Sequence, residues 1–171
     1  MVPEAKLEGG VPQGEGWFVL NARDARWQHN EFGAYCGFEG RRDKSAGFEE
    51  LGINLNVLPP GKPMAMYHGE PGEEAFLVLD GECILIAEGE ERPLHKWDFV
   101  FCPPWTEHVI VGAGTRPALV LAVGVRKEGI VYPVNETALE HGAGVERETR
   151  EPAEAYSPLW KLHDGPAPEL D

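Results

Sequence analysis

Basic residues are scarce in this sequence: 15 lysines and arginines stand against 29 aspartates and glutamates, a formal net charge of −14 over 171 residues. A surface of that sign repels phosphate backbones and anionic headgroups, so the expected partners include neither nucleic acid nor an acidic membrane. Long apolar runs are missing as well; nothing approaches the about 18 consecutive apolar residues of a membrane span. The opening MVPEAKLEGGVPQGEG carries no apolar stretch behind a basic end, so no secretory leader is read there and the expected location is the cytoplasm. Cysteine is limited to Cys36, Cys83 and Cys102, far apart and without C-x-x-C spacing. With Cys83 and Cys102 inside apolar segments, they read as reduced core thiols rather than a disulfide framework or a zinc knuckle. Helical periodicity is rare, and there is no internal repeat, phosphate-cradling glycine loop or helix-turn-helix.

What is present is punctuation. The 21 glycines and 15 prolines are spread along the chain, which calls for frequent turns between short segments. Residues 1–16 read as a flexible arm, GWFVL as the first strand, and 34–38 as a short strand, with Trp27, Phe32, Tyr35 and Phe38 as packing points. From Leu51 the signal sharpens: LGINLNVL alternates apolar and amide residues with period two, and MAMYH, EAFLVLD, ECILIAE, DFVFC, HVIVG and ALVLAVGVR follow between Pro/Gly turns. Strands of this length and spacing predict one all-β domain, an antiparallel sandwich or barrel over 17–130 with its most regular part at 51–125. In the tail, 131–171, Asn135 is a helix N-cap and Gly142 a stop, so a short helix is expected over 136–141. Tyr156, Leu159 and Trp160 are expected to clip this tail onto the barrel or onto a partner subunit.

The chemistry concentrates in PPGKPMAMYHGEPGEEAFLVLDGE, residues 59–82. On an extended strand His68 and Glu70 are i and i+2 and leave the same face. The Pro71-Gly72 turn is expected to reverse the chain so that Glu74 opens the partner strand across from them. His108, after Pro103-Pro104 and at the start of another apolar strand, is the fourth candidate. Two imidazoles and two carboxylates suit Mn, Fe or Zn as a divalent ion. Against this stands the plain reading that turn glutamates in an acidic chain are solvated. For Glu70 the alternative is a rim position, and a one-residue slip in register would turn His68 outward. His29, His95, His141 and His163 have no partner at ligand spacing and read as surface or structural.

These two segments resemble the paired motifs of the cupin superfamily. In the first, Gly61 is followed by six residues rather than five, then His68, Glu70 in place of the second histidine, Glu74, and six residues later Gly81. In the second, Trp97, Pro103, Trp105, His108 and Gly112 keep the family spacing, with tryptophan at both glycine positions and glycine at the asparagine position. The resemblance implies a double-stranded β-helix of jelly-roll type holding one divalent transition metal through His68, Glu70, Glu74 and His108. It also implies either a metal-dependent enzyme (dioxygenase, isomerase or lyase), with Glu70 or Glu74 as base, or a non-catalytic binder of small molecules, with or without metal. Cupins are often dimers, so a homodimer is expected. Strand parity places Met64, Met66, Phe76 and Val78 on the ligand face, a partly apolar pocket for a small organic molecule. Trp105 walls that pocket, lids the barrel edge or makes a dimer contact. Because tryptophan resists positive φ, both tryptophan turns are expected to differ from the glycine turns of the family.

Overall fold

The turn signals resolve into twelve short strands and two one-turn helices in the computed structural model, which describes residues 1–38, 48–156 and 161–169. In chain order the strands are β1 (Lys6–Glu8), β2 (Val11–Gln13), β3 (Trp27–Asn30), β4 (Gly33–Gly37), β5 (Leu51–Leu58), β6 (Glu74–Asp80), β7 (Glu82–Ala87), β8 (Glu90–His95), β9 (Phe99–Cys102), β10 (His108–Gly112), β11 (Ala118–Val125) and β12 (His163–Gly165). The helices are α1 (Glu136–Glu140) and α2 (Pro152–Ala155). A seven-stranded sheet in the order β12-β3-β4-β5-β11-β6-β9 faces a three-stranded sheet in the order β10-β7-β8, all pairs antiparallel, and β1 and β2 form a separate hairpin. This is the expected all-β cupin architecture. Among the described residues no helix is long and apolar enough to cross a membrane.

Strand β11 shows why the sheet is so apolar. It lies between β5 and β6 and is hydrogen-bonded to both. Its inward residues Ala118 and Val120 join Leu58, Phe76, Val78, Leu85, Cys102 and Ile110 in the core between the sheets. Its outward Leu119 and Leu121 pack with Trp27, Cys36 and Leu55 beneath β3 and β4. A strand covered on both faces needs no polar alternation. All three cysteines are buried and free. Gly81, at φ +81, carries the chain from β6 to β7 and so from one sheet to the other; a Cβ there would lie 2.6 Å from the Ala118 backbone.

Several expectations are corrected. GWFVL is no strand; Trp17 makes only an isolated bridge to Glu4, and the regular pairing near the start belongs to β1 and β2, within the segment read as a loose arm. MAMYH does not form a continuous strand either. Residues 63–69 touch β10 at the bridges Pro63 to Val111 and His68 to His108, while Tyr67 N–H is drawn off to the Ala143 carbonyl and Met66 N–H to the Tyr156 hydroxyl. Strands β3, β8 and β12 and helix α2 escaped the pattern. In β8 the reason is Pro93, tolerated because β8 is a sheet edge that needs no N–H on its outer side. The expected helix is present as α1, with the Asn135 side chain accepting from Ala138 N–H and Gly142 in the left-handed region at φ +66. Of the expected tail clip, Tyr156 packs beside Met66, Tyr132 and Ala155; Leu159 and Trp160 lie outside the described residues.

The tryptophan turns also overturn expectation. Trp97 and Trp105 sit at φ +77 and +69, the left-handed conformation a glycine would take. Trp97 is held there by its N–H to the Val78 carbonyl at 2.7 Å and by the neighbouring Asp98 N–H to the His95 carbonyl at 2.9 Å. Trp105 is held by its N–H to the Glu70 carbonyl at 2.7 Å. The backbone demand outweighs a side-chain penalty of about 1–2 kcal/mol per residue. Replacing exposed Trp97 by glycine is therefore expected to stabilise the protein by about 1 kcal/mol, a rise of about 2–4 °C in thermal midpoint. Trp97→Ala, which keeps the strain, should give no such rise in the same melts.

Candidate metal centre

His68 and His108 are brought together by backbone pairing. His68 N–H donates to the His108 carbonyl at 3.2 Å and His108 N–H to the His68 carbonyl at 2.9 Å, which leaves the ring centroids 5.1 Å apart. Each ring is oriented by the same local device. Nδ1 of His68 lies 2.7 Å from the Met66 carbonyl, and Nδ1 of His108 2.9 Å from the Thr106 carbonyl. A carbonyl only accepts, so both Nδ1 atoms carry the proton and both Nε2 lone pairs face inward. Phe76 stands against the His108 ring at 5.3 Å and Tyr132 against the His68 ring at 6.0 Å.

Glu74 arrives from the opposite sheet. It does not pair across a hairpin with His68, as the sequence suggested. Opening β6, it lies between Cys102 of β9 and Gly124 of β11. Its Oε2 is 3.3 Å from His108 Nε2 and 3.9 Å from His68 Nε2. One donor atom from each of His68, Glu74 and His108 falls within 4.8 Å of the others. His108, only 2 % exposed, has an Nε2 that is buried without a hydrogen-bond partner.

Burial dominates the electrostatics. It lowers His68 to about 4, with His108 contributing less, and it lowers His108 as well. It raises Glu74 to about 8, assisted by the charge of Glu70, and raises Glu70 too. Both imidazoles are thus neutral near pH 7, as ligation requires.

Of the residues named from sequence, His68, Glu74 and His108 converge. Glu70 is not one of the three; its carbonyl accepts from Trp105 N–H, and its half-buried carboxyl acts on Glu74 through charge. Met64 lines a cavity against β4 and β5, while Met66, Phe76 and Val78 are buried core. Trp105 is half-exposed and its ring passes over the Pro71 and Gly129 segment, outside that cavity. Sequence reading missed Tyr132 and Tyr156, which reach the site from the tail; no spacing links them to the motifs.

Residues 54–124 match the family described as Cupin domain. An uncharacterised protein of Methanocaldococcus jannaschii is 26 % identical over 65 residues, 38 % of this chain and 52 % of that protein, so the chain spans about half the length of this curated relative. A solved sugar phosphate isomerase of the cupin superfamily from Silicibacter pomeroyi is 25 % identical with a TM-score of 0.48, covering 64 % of this chain and 65 % of that one. A predicted oxalate decarboxylase from Thermotoga maritima is 17 % identical with a TM-score of 0.54, covering 64 % of this chain and 99 % of that one, a likeness of fold.

Without metal, Glu74 is a buried acid whose folded form keeps its proton when the unfolded chain has lost it. Stability of the metal-free protein should therefore fall as pH rises from 4.5, its ordinary value, through about 8. In melts with a chelator present, Glu74→Gln is expected to remove this fall and to gain on the order of a few kcal/mol at pH 8. Identical pH dependence in both proteins would contradict the assignment. Residues 54–124, which span both motif segments, match the cupin domain family, and the antiparallel sheets around them have the arrangement of that fold.

Proposed function

We propose that the protein is a metal-dependent cupin that acts on a small organic molecule, with one divalent transition ion, Mn, Fe or Zn, held by His68, Glu74 and His108. The orphaned Nε2 of His108 carries this reading. A buried nitrogen lone pair without a donor costs free energy that an electron-pair acceptor would recover. The second support is orientation, since the Met66 and Thr106 carbonyls fix both imidazoles in the tautomer that presents Nε2.

Two neutral nitrogens and one carboxylate give a borderline-hard donor set and leave coordination positions for ligand or water. When bound, the ion would supply Lewis acidity or a site for oxygen chemistry, as expected of an isomerase, lyase or dioxygenase. Glu74 contributes the negative charge of the donor set and neutralises part of the ion's charge. Glu70 is left uncoordinated, with its proton held more tightly by burial, and is our choice for the base that exchanges a proton with the ligand. The same chain is proposed to work as a homodimer, because edge strand β9 leaves Phe99 and Phe101 exposed beside Trp97.

Protein purified without added metal should carry close to one Mn, Fe or Zn per chain by elemental analysis. His108→Ala should lower that content at least about tenfold while circular dichroism stays unchanged. Protein that takes up none of the three ions between about pH 6 and 8, where the imidazoles are neutral, would remove the proposal. Product formation from a small-molecule screen separates the enzyme from a binding-only protein. Sedimentation should give a dimer, and Phe99→Lys should shift it towards monomer.

A further inference from the structure

A cavity of about 180 Å³ lies between the inner face of β4 and β5 and the 63–65 segment. It is smaller than the about 300–1,000 Å³ typical of drug-sized sites. Asn54 and Asn56, two positions apart on β5, both line it. They interrupt a strand whose other large residues are Leu51, Ile53, Leu55, Val57 and Leu58, and Asn56 is only 9 % exposed. Among the described residues neither carboxamide hydrogen-bonds to protein. Their amide groups open onto the cavity, where each offers a donor and an acceptor that an apolar residue would not.

The rest of the wall fits the same ligand. Tyr35, directly across from Asn56 on β4, and Tyr156 are neutral wall residues whose hydroxyls are bonded to Gln28 and to Met66 N–H and Tyr132, and Met64 is an apolar surface. No charged residue lines the cavity. A phosphate or carboxylate seated there would be desolvated without a counter-ion. Carboxamides offer a donor and an acceptor side by side and best match a neutral group that does likewise. Arg126 flanks the barrel mouth, with its guanidinium 4.0 Å from where a Cβ on Gly52 would sit, and is not part of the wall. The wall is connected to the metal centre by side chains: Tyr156 is hydrogen-bonded to Tyr132, whose ring lies tilted against that of His68 at 6.0 Å.

We infer that this cavity binds an uncharged molecule bearing hydroxyl or amide groups, no larger than a monosaccharide, read by the carboxamides of Asn54 and Asn56. That the far end of the ligand meets the metal rests on the function proposed above; the preference of the cavity for neutral ligands does not.

The test titrates the full chain, its metal content measured, with neutral monosaccharides, small primary amides, the corresponding sugar phosphates and small carboxylates, read by calorimetry or by amide chemical shifts. One neutral class should bind at millimolar concentration or below. Asn54→Leu and Asn56→Leu should each weaken it about tenfold or more with metal content unchanged, and Asn54→Ala serves where the leucine variant does not fold. His108→Ala should lose metal yet keep measurable binding of the neutral ligand, so the cavity and the metal centre can fail separately. Tighter binding of the phosphates or carboxylates, above all if Arg126→Gln abolishes it, overturns the inference. So does neutral binding that the asparagine variants leave unchanged, or no neutral binding to folded, metal-loaded protein.

Discussion

Two reciprocal backbone hydrogen bonds between His68 and His108 hold the site together. A pair that exchanges both bonds in an antiparallel ladder has its Cα atoms about 5.5 Å apart and its side chains on one face, so the imidazoles are neighbours by main-chain geometry rather than by packing. That is a strict constraint on a segment that is otherwise barely a strand. Around His68 the chain spends its remaining N–H groups on Ala143, Tyr156 and Val131, all from the tail. The tail therefore substitutes for a ladder and presses the segment onto β10. Facing sheets pack about 10 Å apart, and Glu74 reaches across that gap from β6 to complete the trio.

The departures from the family motifs acquire physical reasons. At Gly112, where the family has asparagine, a Cβ would fall 2.3 Å from the Pro59 carbonyl and 2.7 Å from that of Leu58. The Pro59-Pro60-Gly61 turn is bonded to Gly112 in both directions, Gly61 N–H to its carbonyl and its N–H to the Lys62 carbonyl, and no side chain fits beneath it. At Trp97 and Trp105 the opposite holds: the turns keep the glycine conformation and tolerate the strain. Both indoles point to solvent or across the surface, where no core atoms oppose them. A glycine position in a motif can thus be a demand on the backbone, on space or on both, and only a demand on space forbids a large residue.

Most of the sheet content from Leu51 to Val125, β8 and the MAMYH segment excepted, was legible because hydrophobic period and turn residues agreed there, and α1 because its cap and its stop are local. The convergence of His68 with His108 was legible through joint spacing. What was not legible was the path between them. Extended parity correctly put His68 inward, but a Pro-Gly pair does not say whether the chain folds back in its own sheet or crosses to the other, and Glu70 was placed by assuming the first. Asn54 and Asn56 read as one face of a period-two strand, with nothing to say which face is inward. They face inward because Leu55 and Val57 have an apolar layer of their own to join beneath β3 and β4, a cover whose strands lack the clear period-two pattern that marks β5.

That inward placement shapes the interior. Read across β6, β11 and β5, successive inward rows are Glu74, Gly124, Gly52; then Phe76, Ala122, Asn54; then Val78, Val120, Asn56. Along β11 the side chain grows from glycine to alanine to valine away from Glu74, so the smallest residue lies beside the carboxylate. A Cβ at Gly124 would already touch Glu74 Cγ at 3.4 Å, and any larger residue would displace the carboxylate from the imidazoles. On the β6 side each row ends in a group belonging to the metal centre or the core, and on the β5 side in glycine or an amide. Charge is thereby confined to one wall and neutral hydrogen bonding to the other. In a chain of net charge −14, the carboxylate wall draws in a cation while the opposite wall stays indifferent to charge.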